Sequence, residues 1–170
     1  FVPKPCYVGP YENEFFQYTA IDEASRERFL YPFMEHNELA TVEFIQRAIT
    51  YFGYAPEVIQ TDNGFEFTKI SYPDQPSDLD KLCNSLGIEH KLIRPRTPRH
   101  NGKVERSHRI DQERFYNFLS FYSYDDLKLQ MKRWLNRYNN MPKPVLKWKT
   151  PLQKRDELTH SDDNIPPFLL

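Results

Sequence analysis

Two neighbouring runs, residues 15 to 22 (FFQYTAID) and 26 to 33 (RERFLYPF), are rich in aromatic and β-favouring residues and are separated by the polar stretch Glu23-Ala24-Ser25. They predict two antiparallel strands joined as a hairpin. The period then changes. Between Leu39 and Phe52 the apolar positions Val42, Ile45, Ala48, Ile49 and Phe52 recur at intervals of three and four, which predicts an amphipathic helix with Asn37 as cap and Gly53 as terminator. Glu57 to Thr61 predicts a short strand, Leu79 to Leu86 a helix and Ile88 to Ile93 another strand, so the first half of the chain is ordered ββαβαβ. Helices follow: Lys103 to Leu119 is compatible with one, and Tyr124 to Asn140 carries Leu127, Met131, Trp134, Leu135 and Tyr138 on a single stripe. Ser123 with Asp126 three residues on has the form of a capping box. Past Met141, Pro142, Pro144, Pro151, Pro166 and Pro167 predict an extended or loosely packed tail, with no regular element in the last ten residues.

Composition narrows the class. The 170 residues suit one domain, and 39% apolar with 15% aromatic residues are too hydrophobic for a disordered chain. Cys6 and Cys83 lie far apart without C-x-x-C spacing, so neither a disulfide framework nor a zinc knuckle is expected, and a reducing, cytoplasmic setting is the default. No run of 18 apolar residues and no charged leader before an apolar block occurs, which argues against membrane spanning and secretion. A formal net charge of −1 leaves no general attraction for a polyanion, so a nucleic-acid site requires charge concentrated locally.

Two segments carry chemistry. In Val58-Ile59-Gln60-Thr61-Asp62-Asn63-Gly64 an apolar strand runs into an Asp-Asn-Gly turn, placing Asp62 at a strand's carboxyl end, where open α/β sheets bind ligands. Alone, the same residues are also what an ordinary turn uses. From Lys91 to Arg109 there are seven Lys or Arg and a single acid, Glu105, near the start of a helix. A lone carboxylate in such surroundings fits a divalent cation held beside a phosphate, and it equally fits an exposed basic face with an ion-pairing glutamate.

Together the two segments resemble the catalytic core of the retroviral integrase superfamily, and within it bacterial insertion-sequence transposases of the DDE type. Thr61 to Gly64, followed by Phe65-Glu66-Phe67, is similar to the turn that holds the family's second catalytic Asp. Pro98, Gly102 and Glu105 match the P-x-x-x-G-x-x-E helix start that holds the third acid. Tyr18 to Arg26 looks like the family's second and third strands, and Thr150-Pro-Leu like its C-terminal motif, so the resemblance spans most of residues 15 to 158. The 42 residues between Asp62 and Glu105 exceed the family's usual spacing, an excess that falls at Lys69 to Asp78. No Asp occurs from Phe1 to Glu12, where the family's first strand and first catalytic Asp belong; Asp22 matches a second-strand acid that is not a metal ligand. The resemblance therefore implies that the first acid lies a few residues before Phe1 and that the chain as given joins DNA poorly.

The implied fold is α/β and ribonuclease H-like, a mixed five-stranded sheet with a truncated first strand, flanked by helices, over residues 1–158 with a tail at 159–170. The implied activity is metal-dependent DNA cleavage and strand transfer in transposition, with Asp62 and Glu105 as catalytic metal ligands for two Mg2+ (or Mn2+) ions. Asn63 and Glu66 are expected beside the metals or the DNA, and Arg96, Arg99, Lys103 and Arg109 on DNA phosphates. His100 and His108 read as exposed surface histidines. Double-stranded DNA, as transposon end and as target, is the expected partner; the helix Tyr124 to Asn140 reads as core packing before a binding surface, and only the homodimer through core helices that the resemblance allows would make Trp134 and Tyr138 interface residues. Two rival readings stand beside this one: a ribonuclease H-like nuclease, and a non-catalytic DNA-binding remnant.

Overall fold

A computed structural model describes Val2, residues 14–62, Gly64, and residues 75–93, 98–160 and 168–169, the side chains of 98–101, 103 and 168–169 excepted. The hairpin forms where the aromatic runs predict it, as β1 (Phe16–Asp22) and β2 (Arg28–Phe33), antiparallel with Phe16 opposite Phe33 and Ile21 opposite Arg28. Its turn is tied by Asp22, whose carboxylate accepts from the Ser25 amide (2.6 Å), the Ser25 hydroxyl (2.5 Å) and the Tyr54 hydroxyl (3.1 Å). Asp22 is fully buried, so its role is to close the turn. Helix α1 (Glu38–Phe52) begins at Asn37, whose side chain accepts from the Ala40 amide, and ends at Gly53 with φ 80°. Then come β3 (Val58–Thr61), α2 (Asp78–Leu86), β4 (Glu89–Leu92) and α3 (Pro98–Arg114), with a 3-10 turn at Tyr116–Phe118, followed by α4 (Tyr124–Asn139). Helix α3 starts five residues before the expected Lys103, because Pro98 fits a first helical turn that needs no amide donor there. The excess segment at Lys69 lies outside the described residues as far as 74, and Asp78 opens α2 rather than closing an insertion.

The sheet has five strands in the order β2-β1-β5-β3-β4. Its middle position is held by β5 (Phe168–Leu169), antiparallel to β1 and parallel to β3. The expectation of an unstructured last ten residues is thus corrected: two of them pair in the centre of the sheet, where the resemblance places a first strand. The tail past Met141 is also more ordered than its prolines suggest. Residues Pro144–Leu146 form a 3-10 turn and Pro151–His160 form α5, with Pro151 at the helix start, the one helical position that suits it. Helix α5 is docked by Arg155, whose Nη1 reaches the buried Glu27 carboxylate at 3.0 and 3.1 Å.

Alternation along β1 sorts the two faces of the sheet. Tyr18 and Ala20 point toward α1, where Tyr18, Phe29 and Phe33 pack around Phe44. Gln17, Thr19 and Ile21 point toward α3. Val104 of α3 packs on Ile21, and Gln17 donates to Asp111 of α3 at 2.9 Å. Asp111 is fully buried and also accepts from Trp134 Nε1 of α4 (2.6 Å) and meets Arg28 Nη2 of β2 at 2.8 Å. Asn139 completes this polar core, exchanging two hydrogen bonds with the Arg28 backbone at 2.9 and 2.7 Å, as a neighbouring strand would. Trp134 and Tyr138 are buried, Tyr138 beneath the Arg28 guanidinium at 3.7 Å. They belong to the core, in agreement with the reading of this helix as core packing, and the alternative of Trp134 and Tyr138 as interface residues is set aside. A buried charge that loses its partner is costly. Asp111→Ala should therefore lower unfolding stability by about 3–5 kcal/mol, read as a lower urea midpoint at unchanged slope; a midpoint within error of the parent would contradict this account of the core.

Candidate functional site

Asp62 directly follows β3. Its carboxylate is exposed, and one oxygen accepts from the Gly64 amide at 2.9 Å, the short-range bond that makes an Asx turn. The residue before it is locked. Thr61 is fully buried, its carbonyl accepts from the Ile93 amide (2.8 Å), and its hydroxyl lies 2.8 Å from His90 Nε2. His90 Nδ1 lies 2.6 Å from Asp80 Oδ1, and Asp80 closes a capping box with Ser77 at the start of α2. Burial would raise the Asp80 carboxyl, but the bonds from His90 and from the Ser77 hydroxyl and amide outweigh it and hold the group below its ordinary value. The two ring nitrogens of His90 thus bridge the Asp80 carboxylate and the Thr61 hydroxyl. The end of β3 is thus tied through side chains to β4 and α2, a linkage the sequence reading missed. His90 stands opposite the buried Ile59 on β4, a pairing between distant segments that a single sequence does not display.

Glu105 stands in the second turn of α3 and is exposed. On either side of it, Val104 and Ser107 are buried, and Asp111 lies two turns below. Glu105 therefore faces outward from a helix whose other side is fixed to β1. Arg109, one turn on, is exposed, as is His108. Arg99, His100 and Lys103 lie on the same helix, their side chains not among those described; Asn63, Glu66 and Arg96 fall outside the described residues.

Register relates the two acids. Leu169 pairs with both Ile21 and Gln60, so these residues are level across the sheet and their side chains share a face. Ile21 faces α3. Gln60 then faces α3 too, and so does Asp62, two residues on, if the alternation continues one step past the strand. Two strand spacings across and two residues along put the Asp62 backbone roughly 12 Å from the Ile21 backbone on which Val104 docks. The strand that leads to Asp62 and the strand on which the Glu105 helix docks are thus held in one sheet, and both acids are exposed. Among the described residues no group of three or more His, Cys, Asp or Glu side chains is placed to hold a metal ion. The two acids that are present supply hard oxygen donors and solvent access, which suits a magnesium-like ion. No helix among the described residues is long and apolar enough to cross a membrane.

Two family models, both described as integrase core domain, match residues 6–98 and 86–151. The Retrovirus-related Pol polyprotein from transposon TNT 1-94 of Nicotiana tabacum is 30% identical over 109 residues, covering 63% of this chain and 8% of that protein. The Retrovirus-related Pol polyprotein from transposon RE2 of Arabidopsis thaliana is 27% identical over 140 residues, 79% of this chain and 9% of that protein. The chain spans less than a tenth of the length of these curated relatives. The crystal structure of the catalytic core domain of BIV integrase matches with a TM-score of 0.66 at 21% identity, over 88% of this chain and 90% of that one. A chain of the simian T-cell lymphotropic virus intasome, solved in complex with PP2A regulatory subunit B56 gamma, gives a TM-score of 0.65 at 21% identity, over 85% and 50%. These relatives are retrotransposon polyproteins and retroviral integrases, not the bacterial insertion-sequence transposases to which the motifs were likened. The ribonuclease H-like fold agrees with the expected class, and the first family model covers more than half the sequence: the chain belongs to the integrase core domain family.

Proposed function

We propose that this chain carries the DNA-joining centre of an integrase-type recombination protein, with Asp62 and Glu105 as two of its metal-binding carboxylates. The observation that carries the reading is the shared pairing of Leu169 with Ile21 and Gln60, which sets the strand leading to Asp62 and the docking point of the Glu105 helix over one sheet face. A pair of divalent ions bound there supplies an activated oxygen nucleophile and a stabilised leaving oxygen for transfer of a phosphodiester. Around that chemistry the chain's own residues position the substrate. Arg109, four residues after Glu105, lies on the same outward side of α3 and meets a phosphate near the acids. Arg96, Arg99 and Lys103 neutralise the neighbouring backbone, and Asn63 and Glu66 follow Asp62 toward the DNA. Asp80, His90 and Thr61 hold the strand end, so the Asp62 backbone needs little rearrangement when substrate arrives. The solved relative from an intasome supports DNA as the partner and assembly in several copies.

Manganese uptake, followed as loss of the free-ion paramagnetic resonance signal, should be weakened about tenfold or more by Glu105→Gln, with the circular dichroism spectrum unchanged. Equal uptake by the variant would remove Glu105 from the site. A second expectation concerns DNA. Arg109→Ala should weaken duplex binding to a similar extent for all sequences and lower the slope of log affinity against log salt by about 0.9. An unchanged slope would show that Arg109 touches no phosphate.

A further inference from the structure

The connection between α4 and α5 gathers three lysines and a tryptophan into Lys143-Pro-Val-Leu-Lys147-Trp148-Lys149. Its backbone is closely tied: the amides of Leu146 and Trp148 donate to the Lys143 carbonyl, Lys147 to Pro144, Lys149 to Leu146, and Lys143 to Lys149. Leu146 is buried as its anchor. At the tip, two consecutive non-glycine residues are left-handed, Lys147 at φ 54° and Trp148 at φ 67°. That conformation is uncommon for bulky side chains and persists only where surroundings impose it. Its result is an outward tryptophan. Trp148 is 72% exposed, whereas Trp134 is 4% exposed.

The root of the loop is crowded with positive charge. Lys143 Nζ lies 3.6 Å from the centre of the Tyr138 ring and the Arg28 guanidinium carbon 3.7 Å from the same point, so the two cations sandwich the ring. Burial, with Arg28, Arg114 and Arg106 nearby, pushes the Lys143 ammonium down to about 8. Asp111 answers Arg28, while Arg114 turns one nitrogen to the weak acceptor Met141 Sδ at 3.6 Å. Arg106 and Arg114 belong to α3, the helix that carries Glu105. Folding therefore collects cations of α3 and β2 around Lys143, at the root of the loop whose tip carries one exposed aromatic ring. Phosphates flanking a stacked base have matching chemistry.

We propose that residues 143–149 and the adjoining side of α3 form a second nucleic-acid contact, in which Trp148 stacks on an unpaired DNA base while Lys143, Lys147, Arg106 and Arg114 neutralise neighbouring phosphates. Stacking is tolerant of base identity, so the site takes single-stranded DNA of mixed sequence. The choice of DNA rests on the integrase reading above; the stacking does not involve Asp62, Glu105 or a metal.

The test titrates the whole chain, without divalent cations, with oligothymidylate and with an abasic oligomer carrying the same number of phosphates, following tryptophan emission in the parent chain and, for the parent and every variant, the fluorescence anisotropy of an end-labelled oligomer. Oligothymidylate should quench the exposed tryptophan and bind about tenfold tighter than the abasic oligomer. Trp148→Ala should abolish the quenching and the preference, and Trp148→Phe should restore most of the preference. The unshifted emission of buried Trp134 reports that each Trp148 variant is folded. Lys147→Ala should lower the salt slope by about 0.7. Equal binding of both oligomers by the parent chain, or an unchanged preference in Trp148→Ala, would overturn the proposal. A failed metal site leaves this titration unaltered, so the two readings fail separately.

Discussion

The geometry of this domain depends on one buried carboxylate. Asp111 receives Gln17 from β1, Arg28 from β2 and Trp134 from α4, so a single residue of α3 is held by three other elements. With all its partners in place the anion is tolerated in the interior; with one missing, the remaining charge is left in a medium that solvates it poorly. That arrangement fixes both the rotation and the height of α3. Val104 at Ile21 and Asp111 at Gln17 are two points on one line, and Glu105 must then face away from it. The position of a surface acid is set by one apolar and one polar contact seven residues apart on the hidden side of its helix.

A comparable device holds the other acid. The chain from Asp80 through His90 to the Thr61 hydroxyl connects α2, β4 and the last residue of β3. Asp62 itself is left exposed on a two-residue turn, so its backbone is anchored while its carboxylate stays accessible. Rigid support behind an accessible carboxylate is what the proposed metal site requires. The middle of the sheet completes the frame: Phe168 and Leu169 join β1 to β3, and without a segment in that place the strand leading to Asp62 and the strand beneath α3 share no ladder.

How much of this was legible in the sequence follows from which forces leave a periodic trace. Helix α1 was readable to within a residue because its stripe, its Asn37 cap and its Gly53 terminator agree. The hairpin, β3 and α4 were readable for similar reasons. Asp62 and Glu105 stood out as chemistry, one by its turn and one by its isolation among basic residues. Helix α5 was not readable: its first residue, Pro151, is buried, the rest are polar or half-covered, and it is docked by the Arg155 pair with Glu27, more than a hundred residues away. The Asp111 core was hidden for the same reason. Val104, Ser107 and Asp111 have helical spacing, but two of the three are polar, so the buried side of α3 has no apolar stripe. Trp134 and Tyr138 were placed on the buried helix side, but what they enclose, Arg28 and Asp111, comes from distant segments and left no trace in the stripe.

The central claim is that two acids distant in sequence serve one cation site above a single sheet face. Anomalous diffraction from a crystal soaked in manganese tests it most directly. The account predicts a peak with oxygens of both Asp62 and Glu105 at coordination distance; peaks that avoid one or both carboxylates would contradict it.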